Sequence, residues 1–166
     1  MKNMFRAINR VMSENEDVKA IYPIHMNPMV KEIAEEILGG NEKIRIIEPL
    51  EVTDSHNFLN KSYLVLTDSG GIQEEAPSLG KPVFVMRDTT KRPEGIQAET
   101  LKLVGTDEET IYQNFRLLLD SREAYETMSK ASNPYGVGLA SKWIADILEN
   151  FLEGFDDNTT ESEKIR

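Results

Sequence analysis

The sequence predicts an α/β fold: a Rossmann-like parallel sheet with helices on both faces. Three observations carry this reading. Short apolar runs that do not alternate, such as Tyr63-Leu64-Val65-Leu66-Thr67 and Pro82-Val83-Phe84-Val85-Met86, suit strands buried on both faces. Between them stand segments whose apolar residues recur at helical spacing. The two signals alternate along the chain, and such alternation builds parallel sheets.

The elements follow in order. Met1, Met4, Phe5, Ile8, Val11 and Met12 share one helical face. Ala20-Ile21-Tyr22-Pro23-Ile24 reads as a short strand. Asn27-Pro28 opens a helix, because asparagine caps well and proline suits the first turn. Val30, Ile33, Ala34, Ile37 and Leu38 line its apolar face, and Gly39-Gly40 stops it. Lys43-Ile44-Arg45-Ile46-Ile47 is the next strand, and a short helix covers residues 55–61. After the strand ending at Thr67, Asp68-Ser69-Gly70-Gly71 leads into a helix over residues 72–76. Leu101-Lys102-Leu103-Val104 is a weaker strand after the one at Pro82-Met86. Thr106-x-x-Glu109 reads as a capping box for a helix bearing Ile111, Phe115, Leu118 and Leu119. Helices over residues 122–130 and 139–153 complete the set. Residues 1–153 are read as one domain. The segment 154–166, with four acidic and two basic residues and little to bury, is read as a disordered polar tail. No strand signal precedes the first helix, although the first strand of a doubly wound sheet is normally central. The domain is therefore read as lacking its first strand.

Composition narrows the function. The chain has 166 residues and no cysteine, which excludes a disulfide framework, a thiolate metal site and a cysteine nucleophile. Two histidines, His25 and His56, leave little material for a metal site, and no cofactor is expected. A net charge of −10 argues against nucleic-acid binding, which needs a positive surface. Apolar runs of only a few residues argue against a membrane span, and the start lacks a secretion signal, so a cytoplasmic location is expected.

Chemistry is expected at Thr67-Asp68-Ser69-Gly70-Gly71-Ile72-Gln73-Glu74-Glu75, where a buried strand gives way to a helix. The first N–H groups of that helix and its dipole suit a phosphate. Ser69 adds a hydroxyl, and glycine leaves room for a close approach. Glu75, about one turn on, is placed to accept hydrogen bonds from a ribose diol. On local grounds an ordinary glycine-rich turn with Ser69 as a plain cap stays open. Arg87-Asp88-Thr89-Thr90-Lys91-Arg92-Pro93-Glu94 follows the next strand, as a polar loop for a phosphate or sugar or as a solvated surface loop. Its place at the carboxyl edge of the sheet favours the first reading. His25 ends another strand, where a structural histidine is the commoner finding. Ser69, Asp68 and the two histidines form no nucleophile arrangement.

Taken together, these segments resemble the C-terminal half of the non-hydrolysing UDP-N-acetylglucosamine 2-epimerases. The matching stretches are Tyr22-Pro23-Ile24-His25-Met26-Asn27-Pro28, the run from Thr67 to Pro82, the run from Arg87 to Glu94, and Asn133-Pro134-Tyr135-Gly136. The resemblance implies the C-terminal domain of a GT-B-type fold. It also implies an isomerase that interconverts UDP-N-acetylglucosamine and UDP-N-acetylmannosamine, eliminating UDP and adding it back, on the way to cell-wall polysaccharide precursors. It implies that Ser69, Gly70 and Gly71 hold the diphosphate of UDP, that Glu75 holds the ribose, and that Arg92 lies near the substrate. It implies that His25 belongs to an allosteric UDP-N-acetylglucosamine site. The acid and base carboxylates are implied in an N-terminal half, so none of this chain's residues is assigned to catalysis. A separate N-terminal half or a homodimer partner is the implied protein contact. Three positions depart from the family: Ser55 stands where a phenylalanine is expected near the uracil, Glu99 replaces a glycine, and Val137 replaces an aspartate. Two further readings remain beside the epimerase half. One is a non-catalytic remnant or regulatory UDP-sugar-binding module, and the other is half of a UDP-sugar glycosyltransferase.

Overall fold

The computed structural model describes residues 1–136 and 138–162, with side chains described as far as Leu152. Val137 and residues 163–166 lie outside the described residues. The chain divides into two compact units, Met1–Pro134 and Tyr135–Arg166.

The first unit contains five short parallel strands: β1 (Ala20–Pro23), β2 (Ile44–Ile47), β3 (Val65–Thr67), β4 (Val83–Val85) and β5 (Leu101–Leu103). They form two ladders. β1 pairs with β2 in register Ala20–Ile44 to Pro23–Ile47. β3 pairs with β4, and β4 with β5, through Val65–Val83 and Val83–Leu101. Every pairing is parallel, as the unalternating apolar runs require. β4 is buried at all three residues, as befits the middle strand of its ladder. The ladders are thus a two-stranded sheet, β1-β2, and a three-stranded sheet, β3-β4-β5.

Seven helices of this unit are α1 (Lys2–Glu14), α2 (Pro28–Leu38), α3 (Val52–Lys61), α4 (Gly70–Ser78), α5 (Pro93–Gln97), α6 (Glu108–Asp120) and α7 (Arg122–Ser129). α1 packs on α2 and α6. It buries Phe5, Ala7, Val11 and Met12, the face its apolar spacing predicts. The Phe5 ring meets Tyr22 edge-on at 5.4 Å between centroids, and the Arg10 guanidinium lies 3.6 Å over the Tyr112 ring on α6. One hydrophobic cluster joins α1, α2 and α6 to residues of both ladders, with Ile24 and Ile44 on one side and Phe84, Met86 and Val104 on the other. α7 is tied to the segment leading into β3 by stacked Tyr63 and Tyr125 rings at 4.0 Å and by the Tyr125 hydroxyl donating to the Tyr63 carbonyl at 3.1 Å.

Several details differ from the sequence expectations. The segment after β4 is not a loop throughout: Pro93 opens the short helix α5. α6 is capped by Asp107, whose side chain accepts from the Thr110 N–H at 2.9 Å, and not by Thr106. An aspartate one residue closer to the helix shifts the cap onto the Thr110 amide, and the hydrogen bonds it accepts from Thr110 hold its carboxyl below the usual range. The second unit carries α8 (Ala140–Ser162), which runs through Gly154 into the segment read as a disordered tail. Trp143, Ile144, Ile147, Leu148 and Phe151 recur at helical spacing, and an established helix elongates at little cost. Among the described residues no helix is long and apolar enough to cross a membrane.

Candidate functional site

The site is built where β3 ends and α4 begins. α4 starts at Gly70, earlier than the expected residue 72, with Ser69 as its N-cap residue. Gly70, Gly71 and Ile72 thus form the first turn, whose N–H groups have no intrahelical acceptor. The Ser69 side chain makes no capping hydrogen bond. Instead, the Thr67 hydroxyl accepts the Ser69 N–H at 3.0 Å and holds the turn. The plain-cap reading of Ser69 therefore fails, and its hydroxyl is not committed to the helix.

The glycines are explained by space, not by conformation. Neither Gly70 nor Gly71 has a positive φ, so no tight left-handed turn requires them. A Cβ added at Gly70 would meet nothing within 4 Å, so the glycine leaves open room over the helix terminus. At Gly71 the only neighbour within 4 Å of an added Cβ is the Glu75 carboxylate, at 3.3 Å. The Glu75 side chain therefore turns back along α4 toward the same terminus. Its other oxygen lies 3.1 Å from His56 Nε2 on α3.

The Arg92 segment is locked onto this turn. Gln73, 1% exposed, donates from Nε2 to the Ser69 carbonyl at 3.1 Å. Its amide oxygen accepts from the Thr90 hydroxyl at 2.6 Å. Thr90 in turn accepts the Arg92 N–H at 3.1 Å. The Arg92 guanidinium is ion-paired with Glu74. The structure therefore brings Ser69, Gly70, Gly71, Glu75 and Arg92 together at the carboxyl edge of the β3–β4–β5 ladder.

Four members of this arrangement had no individual role in the sequence reading: His56, Gln73, Glu74 and Thr90. A buried glutamine in a first turn and a threonine after a strand carry no spacing signal of their own. Only the tertiary contact between α4 and the segment after β4 reveals them.

His25 stands apart, just past the end of β1. Its Nδ1 accepts the Asn27 N–H at 3.1 Å, while the Asn27 side chain caps α2 by accepting from the Met29 N–H at 3.0 Å. It is thus a hydrogen-bonded element of the α2 entrance. Ser55 lies on α3 next to His56. Glu99 has φ 60°, the one left-handed non-glycine among the described residues. No group of three or more histidines, cysteines or acids among the described residues is arranged to hold a metal ion.

Comparison with known proteins agrees with this architecture. The family model described as UDP-N-acetylglucosamine 2-epimerase matches residues 1–149. The UDP-N-acetylglucosamine 2-epimerase of Bacillus subtilis is 59% identical over 148 residues, which are 89% of this chain and 39% of the relative. The solved Staphylococcus aureus MnaA–UDP co-structure superposes with a TM-score of 0.88 at 51% identity, over 92% of this chain and 42% of that one. The UDP-GlcNAc 2-epimerase of Neisseria meningitidis bound to UDP-GlcNAc gives a TM-score of 0.86 at 42% identity, over 90% of this chain and 40% of that one. The chain thus spans about two-fifths of the length of these relatives. Its ladders, its glycine turn and these matches together show that the chain belongs to the UDP-N-acetylglucosamine 2-epimerase family.

Proposed function

We propose that this chain is the UDP-binding half of a UDP-N-acetylglucosamine 2-epimerase. The observation that carries the reading is the open space over Gly70 in the first turn of a nine-residue helix. A diphosphate there would meet the unpaired N–H groups of that turn, the positive end of the helix dipole and the uncommitted Ser69 hydroxyl. Glu75 would accept hydrogen bonds from the ribose diol, and Arg92 would face the substrate from the adjoining segment. His25 would serve a second, allosteric UDP-N-acetylglucosamine molecule. The chemistry is UDP elimination and re-addition, with its acid and base carboxylates in the N-terminal half, carried by a separate chain or met through a homodimer. The setting is the cytoplasmic supply of cell-wall polysaccharide precursors. The locally positive helix terminus must act against a net charge of −10, a long-range repulsion that salt screens more than the short contacts at the site.

Calorimetric titration with UDP tests the reading. Ser69→Ala and Glu75→Ala should each weaken binding about tenfold, equivalent to one charge-assisted hydrogen bond. Wild-type affinity in both variants would overturn it. A second reading, a non-catalytic module, draws on Ser55 and Glu99, which depart from the family pattern at and near the site. A folded chain with no measurable UDP affinity would favour that reading.

A further inference from the structure

We propose that His56 is the positioning residue of the ribose contact. It seats the Glu75 carboxylate so that the site takes a nucleoside diphosphate with an intact vicinal diol in preference to one without it. The proposal deepens the UDP-binding reading and rests on it.

The contact joins two helices, α3 and α4. α3 is held by Leu59, which is 9% exposed, and its end is closed by Ser62. The Ser62 N–H donates to the Phe58 and Leu59 carbonyls, and the Ser62 hydroxyl donates to the Leu59 carbonyl at 2.7 Å. His56 precedes Leu59 by three residues, a spacing that puts both on one side of the helix. The buried anchor of α3 thus fixes where the imidazole stands. On α4, the consecutive carboxylates Glu74 and Glu75 point to different neighbours, as residues about 100° apart on a helix do. Glu74 pairs with Arg92 beyond β4, and Glu75 turns to His56.

The two oxygens of Glu75 are not equivalent. Oε2 lies 3.1 Å from His56 Nε2. A carboxylate accepts and does not donate, so the geometry assigns the ring proton to Nε2. Oε1 lies 3.3 Å from where a Cβ of residue 71 would stand, so a side chain there would crowd it. Gly71 clears the seat and His56 holds the carboxylate in it. A single donor uses one of about four lone-pair directions, which leaves Oε1 and part of Oε2 to accept from a pair of hydroxyls.

The pair does little for the fold. Its side chains are 50% and 43% exposed, and ion pairs this open contribute next to nothing to stability. What it restricts is the freedom of a long glutamate side chain, and ordering an acceptor before the ligand arrives strengthens binding. An acceptor held in place for a hydroxyl also rejects the analogue that lacks it.

Calorimetric titration of the full chain with UDP and with 2′,3′-dideoxy-UDP tests this. The wild-type chain should prefer UDP about tenfold, and Glu75→Ala should abolish the preference. His56→Leu, which removes the donor and keeps bulk, should weaken UDP about fivefold and leave dideoxy-UDP within about twofold. His56→Gln, whose amide nitrogen reaches about as far as Nε2, should restore most of the preference. In the Glu75→Ala background, His56→Leu should cause no further loss. A His56→Leu chain with the wild-type preference would overturn the proposal and leave Glu75 in its ribose role. Equal losses for both ligands, losses additive with Glu75→Ala, or a His56→Gln chain no better than His56→Leu would overturn it too. No UDP binding, no preference in the wild-type chain, or a preference that survives Glu75→Ala would remove the ribose reading itself, and the proposal with it.

Discussion

Glu99 occupies a backbone position built for glycine, and replacing it should stabilise the protein. α5 ends at Gln97, and the chain reverses through Ala98 and Glu99. The Glu99 N–H bonds to the Ile96 carbonyl at 3.1 Å, and the Thr100 N–H to the Gly95 carbonyl at 3.1 Å. These two bonds, with φ 60° at Glu99, define a Schellman motif whose left-handed residue is a glutamate. α4 ends in the same motif: the Gly80 N–H bonds to Pro77, the Lys81 N–H to Ala76, and Gly80 has φ 67°. One fold thus holds the motif once with glycine and once without it. The left-handed conformation costs a non-glycine residue roughly 1–2 kcal/mol. Glycine forfeits about 0.5–1 kcal/mol of that advantage through extra chain entropy in the unfolded state. Glu99→Gly should therefore gain about 0.7 kcal/mol, which for a chain of this size raises Tm by about 2 °C. Differential scanning calorimetry reads this directly. Glu99→Gln, which removes the charge and keeps the strained backbone, should leave Tm unchanged, and Glu99→Asn should fall between the two. An unchanged or lower Tm in Glu99→Gly, or an equal rise in Glu99→Gln, would refute the backbone argument.

Three other expectations concern the site and the surface. Ser55→Phe places an aromatic ring beside His56 and should tighten UDP binding about fivefold, the value of roughly 1 kcal/mol of ring packing; unchanged affinity in calorimetry would remove position 55 from the base contact. Glu126 is held at about 2 by Lys130 and Arg122, each 2.7 Å away, against an ordinary value of 4.5. A depressed carboxyl stabilises above its unfolded-state value and loses that effect as pH falls through the folded one, so the Tm difference between wild type and Glu126→Gln should narrow between about pH 5 and pH 2. The losses expected in Ser69→Ala and Glu75→Ala should leave Tm unchanged, because neither side chain caps α4.

The fold was legible because burial on both faces leaves a compositional trace. Strands such as Val83–Val85 need apolar residues at every position, and helices such as α1 show their buried face in their spacing. The capping of α6 was displaced by one residue because Thr106 and Asp107 are both competent caps, and only the geometry selects Asp107. α5 escaped because five residues are too few for an apolar period, although Pro93 followed by Glu94 is a fair start signal. At the site, the strand-to-helix turn was visible in Asp68-Ser69-Gly70-Gly71, but the reason for its glycines was not. Backbone angles show that they clear space and do not relieve strain. The Gln73–Thr90–Arg92 chain and the His56–Glu75 contact join residues 17 and 19 positions apart across different elements, where no local spacing rule applies.

The central claim is that the first turn of α4 holds a diphosphate. Titrating the isotopically labelled chain with UDP and following backbone amide resonances tests it most directly. The account predicts saturable shifts centred on Gly70, Gly71 and Ile72, with smaller ones at Arg92. Saturable shifts confined to other residues, or none at these amides at millimolar UDP, would contradict it.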